Sequence, residues 1–289
     1  MIYRTALISL PILASLMACA DTPAIGLHNS TKSFTPNEQM SASDWTDPAE
    51  VDRVWQAALV RIPQSDGSVI KTTISDLSSV SEQISGKYPT VIYLHGCTGI
   101  WDGTIRRINF LARNGYAVVA PASFARLKYP KSCEPSTNQG GLYRRTLRMR
   151  WTDAGNAIEK ARALPWVDGN NMFLMGLSQG GITTATFRST QEKHKVNARV
   201  VEGWTCNAGW EEYRGIEAPE DQPVLTLLGK DDPWFQNEWT RGSCDPFLSK
   251  TNGSKSIVYT ESPLRAEHEL LEYDKPKQAV IRFLRSHRL

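Results

Sequence analysis

The stretch NMFLMGLSQGGITTATF, residues 171–187, decides how the rest of the chain is interpreted. An apolar run ends at Gly176, a serine follows at Ser178, and small residues continue after Gly180. This is the pattern G-x-S-x-G between a buried strand and a helix, where a nucleophilic serine occupies a sharp turn. Glycines beside the serine relieve crowding, and the new helix directs its amide dipoles at the serine oxygen. The stretch therefore predicts that Ser178 is a nucleophile, with Gly176 and Gly180 forming its elbow.

Strand-like and helix-like segments alternate on both sides of this elbow. Continuous apolar runs such as PTVIYLHG (89–96) and AVVAPAS (117–123) are typical of strands buried on both faces of a parallel sheet. Helical spacing separates them, as in TIRRINFLARNGY (104–116). Further strands are expected within 198–206, 223–229 and 256–261, followed by a C-terminal helix. This alternation predicts an α/β fold with a mostly parallel central sheet and helices on both faces.

Catalytic partners for the serine are present farther along the chain. A nucleophilic serine needs a general base, and the base needs an orienting acid. Asp231 and Asp232 follow a predicted strand, and His268 follows the next one. Successive residues leaving a strand point in opposite directions, so only one aspartate can face the histidine. The turn from Gly229 favours Asp232 as the acid, with Asp231 as the alternative.

An oxyanion hole is expected at the end of the strand that precedes the first helix of the sheet. The stretch LHGCTG (94–99) has the required glycine, and the backbone N–H of Cys97 would point at the developing oxyanion. The second donor would be the backbone N–H of Gln179, directly after the nucleophile. His95 is then expected to have a structural role.

The first residues have the pattern of an export signal. Arg4 precedes a short apolar run that ends at Met17. The sequence up to Cys19 resembles a bacterial lipobox, in which Cys19 would be lipidated, although ordinary cleavage at Ala18-Cys19-Ala20 is an alternative. We therefore expect a lipoprotein-type signal peptide over 1–20, a flexible tether over 21–46 and one large domain over 47–289.

The expected location follows from the same N-terminal residues. No Asp follows Cys19, and by resemblance to Gram-negative sorting rules this favours an outer-membrane lipoprotein facing the periplasm. A soluble periplasmic or secreted protein is the alternative. The membrane is then contacted only through the N-terminal lipid.

The cysteines indicate disulfides rather than a metal site. Besides Cys19 the chain has four cysteines, Cys97, Cys133, Cys206 and Cys244. In an exported protein they predict two disulfides, and three different pairings are possible. Their spacing is not that of a zinc site, and we assign no metal or organic cofactor.

The net charge is +3, and the basic cluster YRRTLRMR (143–150) is expected to be a solvated helix face. Without interleaved aromatics it does not indicate nucleic-acid binding.

Together these motifs resemble the dienelactone-hydrolase-like branch of the α/β-hydrolases. The resemblance covers roughly residues 85–288 and rests on YLHGCTG, GYAVVAPASF, MGLSQGG, LLGKDD and EH. It implies the α/β-hydrolase fold and acyl transfer to water. It also implies the disulfide pairs Cys97–Cys133 and Cys206–Cys244. A serine nucleophile, where that family also uses cysteine, indicates an ordinary ester rather than dienelactone as substrate.

The expected substrate is a small or medium carboxylic ester. Several tryptophans follow strand ends where a substrate would bind, and no large helical lid is evident between 205 and 222. Two alternatives stay open: a serine peptidase or amidase on the same triad, and a non-catalytic envelope binding protein on a hydrolase scaffold. The sequence assigns no oligomeric state.

Overall fold

The computed structural model describes residues 41–289. The predicted signal peptide over 1–20, the candidate lipidation site Cys19 and the predicted tether up to residue 40 lie outside the described residues.

An eight-stranded sheet forms the centre of the molecule. Its strand order is β10-β9-β8-β7-β3-β4-β1-β2. All neighbours from β10 to β4 pair in parallel, whereas β1 pairs antiparallel with both β4 and β2. A separate two-stranded ribbon of β5 and β6 lies in the long loop after β4. The strands are β1 (Leu59–Pro63), β2 (Val69–Thr73), β3 (Tyr88–Leu94), β4 (Ala117–Ala120), β5 (Cys133–Glu134), β6 (Gln139–Gly140), β7 (Val167–Leu177), β8 (Ala198–Glu202), β9 (Val224–Gly229) and β10 (Lys255–Tyr259).

Helices cover both faces of this sheet, because its central strands bury side chains on both sides. In β3, Val91 and Tyr93 join one apolar core, whereas Ile92 and Leu94 join a second core on the other face of the sheet. This is the two-residue alternation of a strand that is covered on both faces. The helices are α1 (Ala42–Thr46), α2 (Pro48–Gln56), α3 (Asp102–Arg113), α4 (Thr146–Arg162), α5 (Gln179–Thr186) and α6 (Asp274–Ser286). The predicted fold class is therefore confirmed.

The folded domain begins earlier than the sequence predicts. The sequence predicts residues 42–46 as part of the tether, but they form α1, and Trp45 is only 8% exposed. The Trp45 ring packs in a small apolar cluster with Phe124, Tyr129, Tyr143 and Met149. The polar composition of this segment predicts a tether, but burial of one large aromatic ring contributes to holding it on the domain.

None of the helices in residues 41–289 has the length and hydropathy that a membrane crossing requires.

Candidate active site

Ser178 lies on a strained turn between β7 and α5. Its φ of 56° and ψ of −119° are unfavourable for a residue with a side chain. The neighbouring glycines make this turn possible. A Cβ at Gly180 would lie 2.0 Å from the carbonyl oxygen of Leu94, and one at Gly176 would lie 2.3 Å from the backbone of Gly180. The strain holds the serine side chain at the carboxyl end of the sheet.

The structure brings His268 together with Asp232 rather than Asp231. His268 Nδ1 lies 2.7 Å from Asp232 Oδ2, and the Asp232 side chain is 1% exposed. Asp232 Oδ1 accepts the N–H of Trp234 at 3.0 Å, so the carboxylate is fixed on both oxygens. Asp231 instead pairs with Arg265 at the surface. The turn at the end of β9 therefore sends the two adjacent carboxylates to different environments.

The other ring nitrogen of His268 is free to act as a base. Because Nδ1 faces an aspartate, Nδ1 carries the proton and Nε2 is the acceptor. Nε2 is buried and has no hydrogen-bond partner among residues 41–289, Ser178 included. The His268 ring lies beside the nucleophile turn. A Cβ built on Gly203 would be 3.1 Å from His268 Cε1. The residue before this glycine, Glu202, accepts the Ser178 N–H through its backbone carbonyl at 2.8 Å. Serine–histidine contacts of this kind often tighten only when substrate binds.

Two backbone N–H groups are available next to Ser178. No acceptor in the described part of the chain takes the N–H of Cys97 or of Gln179. The Gln179 side chain is fixed by Tyr129 and Ser132, at 3.1 Å and 2.8 Å. These are the two residues that the sequence predicts as oxyanion donors.

A buried network, here called the oxyanion-turn network, supports the backbone at the end of β3. Ser123 N–H donates to His95 Nε2 at 3.2 Å, so the proton of the ring is on Nδ1, which donates to Gly96 O at 2.7 Å. Burial and the charge of Arg150 hold the pKa of His95 well below its usual value. Arg150 donates to the His95 carbonyl at 2.6 Å. His95 is thus a neutral structural residue, as the sequence suggests.

The same network reaches the N-terminal helix. Asp153 accepts from Ser123 Oγ at 2.7 Å and is paired with Arg126, which is fully buried. Arg126 also donates to the carbonyls of Asp44 and Trp45 in α1, at 3.2 Å each.

One expectation about the basic cluster 143–150 is wrong. Arg150 was expected on a solvated helix face, but it is 1% exposed and binds the backbone of His95. Arg144 does reach the surface, where it pairs with Glu212. The cluster therefore includes a buried structural cation, which charge counting along the sequence does not distinguish from a solvated one.

A second buried network, here called the triad network, lies behind the nucleophile and the histidine. Arg107 and Glu202 form a two-point ion pair at 2.7 and 2.9 Å, and both side chains are fully buried. Glu202 also accepts the N–H of Leu271 at 2.8 Å. Arg107 contacts Glu269, the neighbour of His268, and Glu272, at 3.1 and 2.9 Å. Burial opposes the charge of Arg107, but Glu202 raises its pKa above the ordinary value.

A cavity of about 600 Å³ opens in front of Ser178. Disulfides at two places hold its walls, Cys97–Cys133 beside the oxyanion turn and Cys206–Cys244 beside the loop after β8. These are the pairs that the family resemblance implies. The lining includes Ser178 and Gln179 and six aromatic residues: Trp204, Trp210, Tyr213, Trp234, Phe235 and Trp239.

Solved structures with the same architecture are known. A dienelactone-hydrolase-like promiscuous phosphotriesterase from metagenomic libraries is 18% identical, with a TM-score of 0.50 over 80% of this chain and 98% of that chain. An esterase from Pyrococcus furiosus is 16% identical, with a TM-score of 0.50 over 80% and 91% of the two chains. The protein has the α/β-hydrolase fold. No protein-family model and no curated protein sequence matches the chain.

The fold places two residues beside the site that the sequence analysis did not predict, Arg107 and Glu202. Arg107 lies on the buried stripe of α3 with Thr104, Ile108 and Leu111, where a charge requires a partner. Glu202 ends a strand that is buried throughout. A charge on an apolar helix stripe and a charge at the end of an apolar strand are signals that each residue is buried, although they do not identify its partner.

Proposed function

We propose that this protein is a serine hydrolase that cleaves small or medium carboxylic esters through an acyl-enzyme on Ser178. The observation that carries the proposal is the state of His268. Its Nδ1 is bound to a buried aspartate, and its Nε2 is unpartnered beside a serine in a strained turn. This combination is what a general base for serine requires.

The reaction follows in two steps. Ser178 Oγ bonds to the ester carbonyl carbon while His268 Nε2 takes the hydroxyl proton, and the N–H groups of Cys97 and Gln179 stabilise the oxyanion. The carbonyl–alkoxide bond then breaks, and His268 returns the proton to the leaving alcohol. In the second step water attacks the acyl carbon and gives a proton to His268. The bond between the acyl carbon and Ser178 Oγ then breaks, His268 returns the proton to Ser178 Oγ, and the acid is released.

The cavity favours an ester over a peptide. A peptidase that recognises a chain terminus needs a charged group to bind it, and none of the residues of 41–289 that line the cavity is charged. The esterase among the similar structures supports the same choice of reaction class. A non-catalytic scaffold has no need for an oriented histidine beside a strained serine.

The adjacent aspartates offer a matched test of the mechanism. Asp232→Asn should lower kcat for a small neutral ester such as ethyl acetate by about 10⁴-fold, because the histidine loses the partner that sets its tautomer. Asp231→Asn removes only a surface ion pair and should stay within about twofold of the wild type. Equal activity of the two variants would contradict the proposal.

We also propose that the protein is exported, as an outer-membrane lipoprotein anchored through Cys19 and facing the periplasm. Two disulfides are typical of proteins in an oxidising compartment and support the export. Metabolic labelling with a fatty acid should mark the wild type and not Cys19→Ala. Export of an unlabelled wild-type protein would favour ordinary cleavage.

A further inference from the structure

The cavity in front of Ser178 is uncharged. Charged residues make up 22% of the chain, yet none of the described residues that line the cavity has a charged side chain. Arg144 lies over the ring of the lining residue Trp210 at 5.3 Å, and its guanidinium group is paired with Glu212. Moving a carboxylate from water into such a site is unfavourable, because no cation is there to compensate for the lost hydration.

The position of His268 indicates which wall of the cavity the alcohol part of an ester would contact. His268 protonates the leaving alkoxide, so the alcohol part of the substrate must lie on the histidine side of Ser178. That side is formed by the segment that follows Asp232. Trp234 is stacked on the His268 ring with centroids 5.3 Å apart, and Phe235 lies 5.6 Å from the same ring.

Trp239 belongs to the same segment after Asp232 and also lines the cavity. The residue is 65% exposed, whereas tryptophan is on average among the more buried residues. The backbone around it is fixed, because Asn237 Oδ1 accepts the N–H groups of Trp239 and Thr240 at 3.0 Å each. An exposed indole on a fixed turn is available for stacking with a flat ring.

We propose that the enzyme selects esters whose alcohol part carries an uncharged aromatic ring, and that Trp234 and Trp239 bind this ring. The inference rests on the proposed ester hydrolysis at Ser178. The two indoles supply stacking surface on the alcohol side, and the absence of a cation from the described lining rejects a ring that bears a carboxylate.

Three acetate esters with the same acyl group test the substrate class. Benzyl acetate should have a kcat/KM several-fold above that of cyclohexylmethyl acetate, since only the benzyl ring is aromatic. The kcat/KM of benzyl acetate should exceed that of 4-carboxybenzyl acetate by about tenfold or more, because the carboxylate must lose its hydration. Equal rates for the benzyl and cyclohexylmethyl esters would overturn the aromatic preference. Equal rates for the benzyl and carboxybenzyl esters would overturn the preference for uncharged rings.

A variant of the exposed tryptophan tests the assigned wall. In Trp239→Ala, the ratio of kcat/KM for benzyl acetate to that for ethyl acetate should fall by about fivefold, the size of a lost aromatic contact. Leu127→Ala is the control, because Leu127 is 68% exposed and does not line the cavity. An unchanged ratio in Trp239→Ala would overturn the assignment.

If the wild type hydrolyses none of these esters, the proposed function itself fails, whereas hydrolysis of ethyl acetate without ring preference removes only this inference.

Discussion

Two buried arginines support the site from opposite sides, and they do so in different ways. In the triad network, Arg107 meets carboxylates, above all the fully buried Glu202, and joins β8 to the loop that carries His268. In the oxyanion-turn network, Arg126 meets one carboxylate and two backbone carbonyls of α1. Arg107 therefore depends on a neighbouring charge, whereas Arg126 depends partly on the path of the N-terminal backbone.

The difference indicates how each half of the site is maintained. The network beside the serine and the histidine joins the end of β8, helix α3 and the loop that carries His268 through charged side chains. The oxyanion turn is held partly by a short segment that precedes the sheet and that the sequence assigns to a tether. We therefore expect the first network to break by loss of a charge and the second to break by loss of packing.

Glu202→Ala should have the largest effect on stability. It leaves Arg107 buried without its main partner and removes the acceptor of the Leu271 N–H. Loss of one member of a buried pair costs about 3–5 kcal/mol, which should be measured by urea unfolding. Because the loop carrying His268 is loosened, kcat should fall more than KM changes.

Glu272→Gln is the matched control for this prediction. Glu272 contacts the same arginine, but its side chain is 31% exposed. A partly solvated pair contributes about 1 kcal/mol or less, so the variant should be close to the wild type in both measurements. Equal losses in the two variants would show that the buried Arg107–Glu202 contact has no special role.

Trp45→Ala should have the next largest effect. Trp45 is 8% exposed and packs beside Tyr129, which binds the Gln179 side chain. Removing the ring should cost about 3 kcal/mol in the free energy of unfolding, the lower end for a buried tryptophan. A modest fall in kcat should accompany it. If stability were unchanged, α1 would not belong to the folded domain in solution.

The smallest effect is expected from pH. Burial, and to a smaller extent the charge of Arg150, lower the pKa of His95 well below 6.5. Below pH 6.5 the imidazole of His95 therefore becomes protonated in the unfolded chain, while it stays neutral in the folded chain. Stability should therefore fall as pH drops below 6.5, by up to about 1.4 kcal/mol per pH unit for this one residue. His95→Asn should reduce the loss between pH 7 and 5.5. His194, whose pKa burial also lowers, should leave a residual slope. An identical pH dependence in His95→Asn would show that His95 is not the source.

The parts of the site that were predictable are those encoded locally. Ser178 and its glycines form one turn, and the strand and helix around them are recognisable from their own residues. The choice of Asp232 over Asp231 also followed from a local turn, and the structure places Asp232 on His268.

The supporting networks could not be predicted because their partners are distant in the chain. Arg107 and Glu202 are separated by 95 residues, and Arg126 and Asp153 by 27. A charged residue gives no sign in sequence of the partner that burial will bring to it. For the same reason Arg150 was expected in solvent and α1 in a tether, since both depend on contacts that exist only in the assembled fold.

Covalent labelling of Ser178 shows whether His268 activates this serine. The purified protein would be treated with a fluorophosphonate, and the modified residue identified by peptide mass spectrometry. We expect one adduct, on Ser178, that is lost in His268→Ala although this variant stays folded. A folded wild type that forms no adduct on Ser178, or an adduct that persists without His268, would contradict the activation of Ser178 by His268.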